Sequence, residues 1–285
     1  MAAELTHLVK EEFDPLLIRA LLIHNAKYPA NNSMSMTDKV TQMGFGAPSS
    51  VQEMLYNSED EITLILRDTL EKGSFIEMFD FPFPESLVDK DGNFVGQIIV
   101  TLVTKSLLDD KQAGEYCQSN IDILFGTYET ETDRDTSKKG IKNPKGLEEP
   151  QNILLESLYS ARVKGAHPFT GFERECTLVK YGKKFHPVKK YAIDLSEMTT
   201  SNRQRYLRGD RKWYLKIEGL YRDFIEQDAR ARNYQLSQEY CLLLTIRDPN
   251  GKAPVYDEVA QQLDYKNFLH HNIQLRNVVT IDGTL

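Results

Sequence analysis

Six histidines are the side chains of this sequence best suited to acid–base or metal chemistry: His7, His24, His167, His186, His270 and His271. His24 lies within an apolar helical pattern, so we interpret it as a core histidine that is hydrogen-bonded to a loop. His270 and His271 are adjacent, and neighbouring residues of a strand point to opposite faces, so they are poorly placed to chelate one metal ion. His167 and His186 each precede a proline, which is typical of an extended loop. We therefore expect no catalytic or metal-ligating histidine.

The acidic side chains offer one spacing that resembles a calcium loop, formed by Asp89, Asp91 and Asn93 around Gly92. The full calcium-loop pattern has Gly at its sixth position and Glu at its twelfth, and neither is present here, which favours a hairpin turn. Asp257 and Glu258 stand near the start of a helical pattern, where acids interact favourably with the helix dipole. We interpret both groups as structural.

Two further patterns could form a ligand site, and both are better explained by packing. Gly44 and Gly46 could flank a phosphate, but a single GxG without further motif residues indicates a tight backbone passage instead. Four phenylalanines occupy alternate positions of one β-prone run, so most of them should face one side and form a sandwich core: Phe75, Phe79, Phe81 and Phe83. We expect Trp213 and Tyr214 to contribute to the same core, and we expect no cofactor.

Composition and charge limit the possible partners. The net charge is −7, which argues against nucleic-acid binding, and the short basic stretches 138–145 and 180–190 are expected to be solvated faces. The three cysteines, Cys117, Cys176 and Cys241, are far apart and form no CxxC pair, so neither a disulfide framework nor a zinc site is expected. No apolar run is long enough to span a bilayer, and Met1 leads into an amphipathic helix rather than a signal peptide. These features predict a cytoplasmic protein without membrane contact.

The predicted secondary structure changes along the chain from helices to strands. Residues 1–58 are mainly helical, with a nearly all-apolar helix at 16–26 and a polar loop at 30–42. Short β-prone runs separated by turn residues follow, at 62–66, 74–83, 96–103, 120–128, 173–181, 189–195, 213–220, 239–247 and 273–281. We therefore predict a mainly β protein with an α-helical N-terminal segment and jelly-roll-like antiparallel sandwich modules. A first β region covers 59–135, a charged linker covers 136–170, and a second β-rich region covers 171–285. The two β regions could also form one sandwich.

Two segments at the start of the chain carry a family resemblance. Residues 2–26, which include Leu21-Leu22-Ile23-His24-Asn25-Ala26, resemble the helix pair that follows the catalytic serine in subtilisin-like serine proteases, the subtilases. Met43-Gly44-Phe45-Gly46-Ala47-Pro48 is similar to the later glycine-rich passage that closes the catalytic domain of that family. The β-rich remainder resembles the sandwich that follows the catalytic domain in large bacterial subtilases.

The resemblance implies a non-catalytic C-terminal part of a serine endopeptidase, in which residues 1–58 are a helical remnant of the α/β catalytic domain. The family's Asp, His and Ser motifs are all absent here, and a serine hydroxyl needs a positioned imidazole and carboxylate to become a nucleophile. No catalytic residue is therefore carried over, and the chain alone is expected to be inactive. The implied partners are the missing catalytic part, protein substrates of the parent protease, and a second copy bound through an exposed apolar helix face. The alternative is a stand-alone β-sandwich that binds another protein.

One expectation is central to this interpretation. The apolar helix at 16–26 should lie against a sheet that this polypeptide lacks, because nothing nearby in the sequence would cover it.

Overall fold

The structure is a computed structural model, which describes residues 1–9, 14–28, 34, 36–55, 57–129, 150–159, 185, 187–265 and 273–275. Several sequence predictions lie outside these residues: Cys176, His167, His186, the pair His270 and His271, the strand at 173–181, and most of the charged linker. Within the described part of the chain, no helix is long and apolar enough to cross a membrane.

The described elements are seven α-helices and eleven β-strands. The helices are α1 (Ala2–Val9), α2 (Pro15–His24), α3 (Met36–Met43), α4 (Val51–Leu55), α5 (Thr200–Tyr206), α6 (Asp223–Arg232) and α7 (Val255–Tyr265). The strands are β1 (Ala26–Lys27), β2 (Ala47–Pro48), β3 (Glu61–Glu71), β4 (Phe75–Phe81), β5 (Gln97–Thr104), β6 (Ser119–Tyr128), β7 (Gln151–Asn152), β8 (Val188–Asp194), β9 (Lys212–Tyr221), β10 (Ser237–Arg247) and β11 (Ile273–Leu275).

Strands β3 to β11 form two antiparallel sheets. One sheet has the order β11-β3-β10-β5-β8, and the other has the order β4-β9-β6-β7. The pairs β3–β10, β4–β9, β5–β8 and β6–β7 are nested, as in one long hairpin that is rolled into two layers. Eight strands paired in this way form a jelly roll, so the predicted antiparallel sandwich with an N-terminal helical segment is confirmed.

The nested pairing also places strands from both predicted β regions in the same sheets. Strands from residues 59–135 alternate with strands from residues 171–285 in both sheets, which corresponds to the single-sandwich alternative. Strand β7 lies inside the segment predicted as a linker and pairs with the end of β6. The core between the sheets is built from alternate residues of both, including Leu64 and Leu244 on one sheet and Phe125 and Leu215 on the other.

The phenylalanine pattern is interrupted by a bulge in β4. Asp80 has a left-handed backbone with φ of 51°, and the pairing with β9 shifts between Phe79 and Phe81. Phe81 and Phe83 therefore lie in the core, whereas Phe75 is 54 % exposed and Phe79 packs on Tyr214. We predicted that most of the four rings face the core, but only two of them do, because one extra residue reverses the alternation. Trp213 is in the core, and its neighbour Tyr214 is on the other face.

The helical segment forms a layer on the outer face of the five-stranded sheet. Helix α2 packs on β5 and β10, and its Leu17, Ile18 and Leu21 belong to a cluster that includes Val103 and Leu243 of those strands. The expectation that this chain cannot cover the apolar helix is wrong. Strands β5 and β10, which cover the helix, begin more than 70 residues after it. The sequence next to the helix therefore gave no sign of them.

Several helices were not predicted. Helix α3 occupies residues that were assigned to a polar loop, and α5 and α6 lie between strands where no helix was expected. Helix α6 carries no large apolar stripe, and of its residues only Ala229 is buried. This exposed helix is stabilised by charge pairs one turn apart, such as Arg232 with Asp228, rather than by packing in the core.

Candidate functional site: the contact between helix α2 and the sheet

His24 is the polar centre of the contact between helix α2 and the sheet. It is 4 % exposed, and its Nδ1 lies 2.9 Å from Thr101 Oγ1 on β5, while its Nε2 lies 2.7 Å from Thr245 Oγ1 on β10. Thr245 is also hydrogen-bonded to Thr63 on β3 at 2.7 Å. The prediction of a core histidine is confirmed, but its hydrogen-bond partners are on the sheet rather than on a loop.

Lys190 of β8 binds the carboxyl-terminal end of the same helix. Its ammonium group donates to the carbonyl oxygens of Ile23 at 3.0 Å and Ala26 at 2.6 Å, and the residue is 4 % exposed. The last carbonyls of a helix have no partner within the helix, and a cation is favourable at that end. Four of these polar side chains lie side by side on the sheet beneath the end of helix α2, one on each of the strands β3, β10, β5 and β8. Together with the helix residue we call them the polar row: Thr63, Thr245, Thr101, Lys190 and His24.

Asp14 fixes the opposite end of helix α2. Its carboxylate accepts hydrogen bonds from the backbone N–H groups of Leu16 at 2.8 Å and Leu17 at 3.1 Å, as expected for a cap that precedes Pro15. The other carboxylate oxygen of Asp14 pairs with Arg67 of β3 at 3.1 Å. Helix α2 is therefore attached to the sheet at both ends by polar contacts and along its length by apolar packing.

The glycine-rich passage closes the helical layer through its backbone. Gly44 and Gly46 both have positive φ, and a Cβ on Gly46 would lie 2.5 Å from the carbonyl oxygen of Lys27 in the paired strand β1. The hydroxyl of Tyr28 donates to the carbonyl oxygen of Gly44. These glycines permit a close approach of two backbone segments, in agreement with the sequence interpretation.

The predicted turn at Asp89 lies beside an open cleft of about 1090 Å³. The Asp89 carboxylate accepts from the backbone N–H groups of Asp91 and Asn93, and it also pairs with Arg203 of α5. Arg208, on the rim of the cleft, pairs with Asp210 at 3.0 Å. The described residues that line the cleft include no histidine, cysteine or serine.

The other candidate residues have structural surroundings. Burial raises the pKa of Cys241 to about 12, which keeps its thiol protonated and unreactive, and Cys117 is a buried free thiol. Glu258, in the first turn of α7, accepts from the backbone N–H of Ser86 at 3.0 Å. In the described ranges, no three His, Cys, Asp or Glu side chains are grouped so that they could hold a metal ion.

Sequence reasoning identified His24 but missed the residues that bind it. Lys190 is in strand β8, at the end of the basic stretch 180–190 that we expected to be a solvated face. That expectation is wrong for Lys189 and Lys190, which are both buried. Thr101 and Thr245 stand within the apolar runs of β5 and β10. A lysine or threonine inside a buried strand was a detectable signal, because burial of a polar group requires a hydrogen-bond partner. Its partner could not be inferred without the fold.

No family model matches this chain, and no curated protein matches it in sequence.

Proposed function

We propose that this chain is a non-catalytic C-terminal part of a subtilisin-like serine endopeptidase, which supports the catalytic domain and helps to place protein substrates. The observation that carries the proposal is the attachment of helix α2 to the sheet at both ends, by Asp14 with Arg67 and by Lys190 with the helix carbonyls. A helical segment held in this way moves with the sandwich. A domain that packs on the helices would therefore be supported by the sandwich as well.

The order of elements in the first 55 residues supports the family assignment. Two consecutive helices are followed by β1, by helix α3, and by the Gly44-Phe45-Gly46 passage, which leads into β2. Strand β2 pairs with β1 in a short ribbon, and helix α4 comes next. This order agrees with the resemblance to the helix pair and the later glycine passage of subtilases. The ribbon requires glycine at position 46 for steric reasons, so the motif has a physical role here.

The outer side of the helical layer is the surface that we assign to the catalytic part. Leu16, Leu22 and Ile23 of helix α2 are only partly buried, and Arg19 between them is exposed. An apolar ridge with one cation is suited to packing against another domain, and in the isolated chain it favours self-association.

Light scattering after size-exclusion chromatography tests this surface. We expect the chain to self-associate in a concentration-dependent way, and we expect the double variant Leu16→Gln/Ile23→Gln to be monomeric. Phe75→Gln is the matched control, because it removes an apolar side chain that is 54 % exposed on the other sheet, and it should leave association unchanged. A monomeric wild-type chain at every concentration would count against the support function.

A fluorophosphonate probe tests the proposed lack of catalysis. The sequence contains none of the family's three catalytic motifs, so we expect no covalent labelling of any serine. Specific labelling that is lost on denaturation would overturn the proposal.

The second candidate is a stand-alone β-sandwich module that binds another protein. It is favoured by the packing of helix α2 on the chain's own sheet, which leaves most of the apolar helix covered without a partner domain. A wild-type monomer with unlabelled serines is the outcome that this candidate predicts. For either function we propose a reducing, cytoplasmic location, since Cys117 and Cys241 are free thiols.

A further inference from the structure

We propose that the open cleft beside the Asp89 turn binds a basic side chain, the ammonium of a lysine or the guanidinium of an arginine, that belongs to an extended polypeptide. The inference deepens the proposed placement of protein substrates, and it rests on that function for the identity of the polypeptide as a substrate. The cleft has fixed walls, uncompensated carboxylates and a buried amide oxygen without a donor, and each of these features favours such a ligand.

Backbone hydrogen bonds join the two turns that border the cleft, one before β5 and one before β9. The N–H of Phe94 donates to the carbonyl oxygen of Leu207 at 2.6 Å, and the N–H of Gly209 donates to the carbonyl oxygen of Gly92 at 2.8 Å. Turns joined in this way keep their separation without a ligand. The cleft is therefore preformed, and a ligand loses little free energy in ordering it.

Both guanidinium groups at the cleft already have carboxylate partners. Arg203 of α5 pairs with Asp89 at 2.5 Å. Arg208 donates to the two carboxylate oxygens of Asp210, from Nε at 3.0 Å and from Nη2 at 3.1 Å. Bidentate pairs of this kind are among the strong hydrogen-bonded ion pairs. A phosphate or an acidic peptide would have to compete with these carboxylates, so the cleft does not favour an anionic ligand.

Two other carboxylates at the cleft have no such partner. Glu85 and Asp91 line the cleft, both are exposed, and neither forms an ion pair with a described residue. Lys90, the neighbour of Asp91, is exposed but does not belong to the described lining of the cleft. The uncompensated charge of the cleft is therefore negative, and the net charge of −7 adds to the negative potential. A cation is the complementary ligand.

Asn93 adds a buried acceptor to the lining of the cleft. The residue is 7 % exposed, and the Nδ2 group of its side chain donates to the carbonyl oxygen of Asp91 at 3.4 Å. This contact assigns the orientation of the amide, and the amide oxygen has no donor among the described residues. Ammonium and guanidinium groups have only donors, so they match this oxygen and the two carboxylates better than a hydroxyl or an amide does.

The size of the cleft favours an extended polypeptide over a free amine. At about 1090 Å³ the cleft reaches the upper end of the range of about 300–1,000 Å³ that is typical of small-molecule sites, so a short alkylamine would fill little of it. Thr200 and Gln204 of α5 line the cleft with a hydroxyl and an amide, which can bind main-chain N–H and C=O groups. These two residues provide contacts for the peptide on either side of the basic residue.

An NMR titration of the whole chain at low ionic strength tests the inference, with the amides of Asp91, Asn93 and Gly209 as reporters. The probe is the capped pentapeptide Ala-Ala-Lys-Ala-Ala, and its controls have norleucine or glutamate at the central position. We expect only the lysine peptide to shift the three amides in a saturable way. About 0.5 M NaCl should weaken its binding several-fold, since salt screens exposed charges.

The double variant Glu85→Gln/Asp91→Asn removes both uncompensated charges with little change of shape. We expect the dissociation constant of the lysine peptide to rise roughly tenfold, because charge-assisted hydrogen bonds become neutral ones. Asp110→Asn is the matched control and should bind as the wild type does. Asp110 is also exposed, but it follows β5, whereas the cleft precedes that strand, so it lies at the opposite end of the sandwich.

Three results would overturn the inference: no shift of the cleft amides, equal binding of the norleucine peptide, or unchanged affinity in the double variant. Equal affinity for n-butylammonium would also contradict it, since the ligand would then be a free amine. None of these results concerns the association of the chain through helix α2. Light scattering therefore tests the support function separately, and failure of that function is distinguishable from failure of the cleft to bind.

Discussion

Lys39 and Lys190 are both buried, but their ammonium groups have different surroundings. Lys190 donates to two carbonyl oxygens, whereas Lys39, at 0 % exposure, has no hydrogen-bond acceptor within the described part of the chain. The ring of Tyr28, 5.3 Å from the Lys39 nitrogen, gives only a cation–π contact. A buried cation that lacks an acceptor costs stability, while its aliphatic stem still contributes packing.

We therefore predict that Lys39→Met leaves the free energy of unfolding unchanged or raises it by about 1 kcal/mol, because a similar apolar side chain removes the uncompensated charge. Urea denaturation at pH 7 measures this change. A loss of more than about 1 kcal/mol would show that the ammonium group has an acceptor in solution and would contradict the structural account.

Asp248 gives a pH-dependent prediction at the same scale. Burial opposes ionisation, but hydrogen bonds from the backbone N–H groups of Asn250, Lys252 and Ala253 outweigh it and lower the pKa of this carboxyl. A lowered pKa contributes stability that is present above the unfolded value near 4 and is lost as the pH falls through the folded value. We expect Asp248→Asn to cost about 1–2 kcal/mol at pH 7.

The difference between wild type and Asp248→Asn should shrink as the pH is lowered from 5 to 3, which denaturant titrations at several pH values can follow. Asp91→Asn is a suitable control, because this side chain lies exposed in a turn and should change stability by less than about 0.5 kcal/mol. A constant difference across the pH range would exclude the proposed role of the carboxylate.

At the scale of elements, the two ends of helix α2 determine how it is held. Lys190→Met removes the donor to the carbonyls of Ile23 and Ala26, and we predict a loss of about 1–3 kcal/mol in the free energy of unfolding. Lys105→Met is the matched control, because Lys105 forms an exposed salt bridge with Glu239, and exposed salt bridges contribute little to the free energy of unfolding. Equal, small effects of the two substitutions would contradict a structural role for Lys190.

Most strands could be predicted from alternation and turn residues, and the exceptions have identifiable causes. The β-prone runs that form β3, β5, β8, β9 and β10 were located to within a few residues, apart from the carboxyl-terminal end of β3, which extends five residues beyond the predicted run. The bulge at Asp80 was not predictable, because a left-handed aspartate leaves no mark in the hydrophobic pattern. The short strand β7 was hidden because two residues provide no period to detect.

At the scale of the molecule, the sequence predicted the class of fold but not which strands are neighbours. The pairing of β3 with β10 joins residues that are about 180 positions apart, and local patterns contain no information on such contacts. The polar row depends on this pairing, since its members come from four strands and one helix. For this reason His24 could be assigned to a core, while Thr101, Thr245 and Lys190 could not be identified as its surroundings.

The central claim is that the helical layer and the sandwich are one cooperative unit. Trp213, the only tryptophan, lies in the sandwich core, so its fluorescence follows unfolding of the sandwich. Urea unfolding at pH 7.5 should be measured in the same samples by this fluorescence and by pulsed hydrogen exchange of residues 15–24. The account predicts one common midpoint for the two signals. Exposure of helix α2 at a clearly lower urea concentration, with Trp213 still buried, would contradict it.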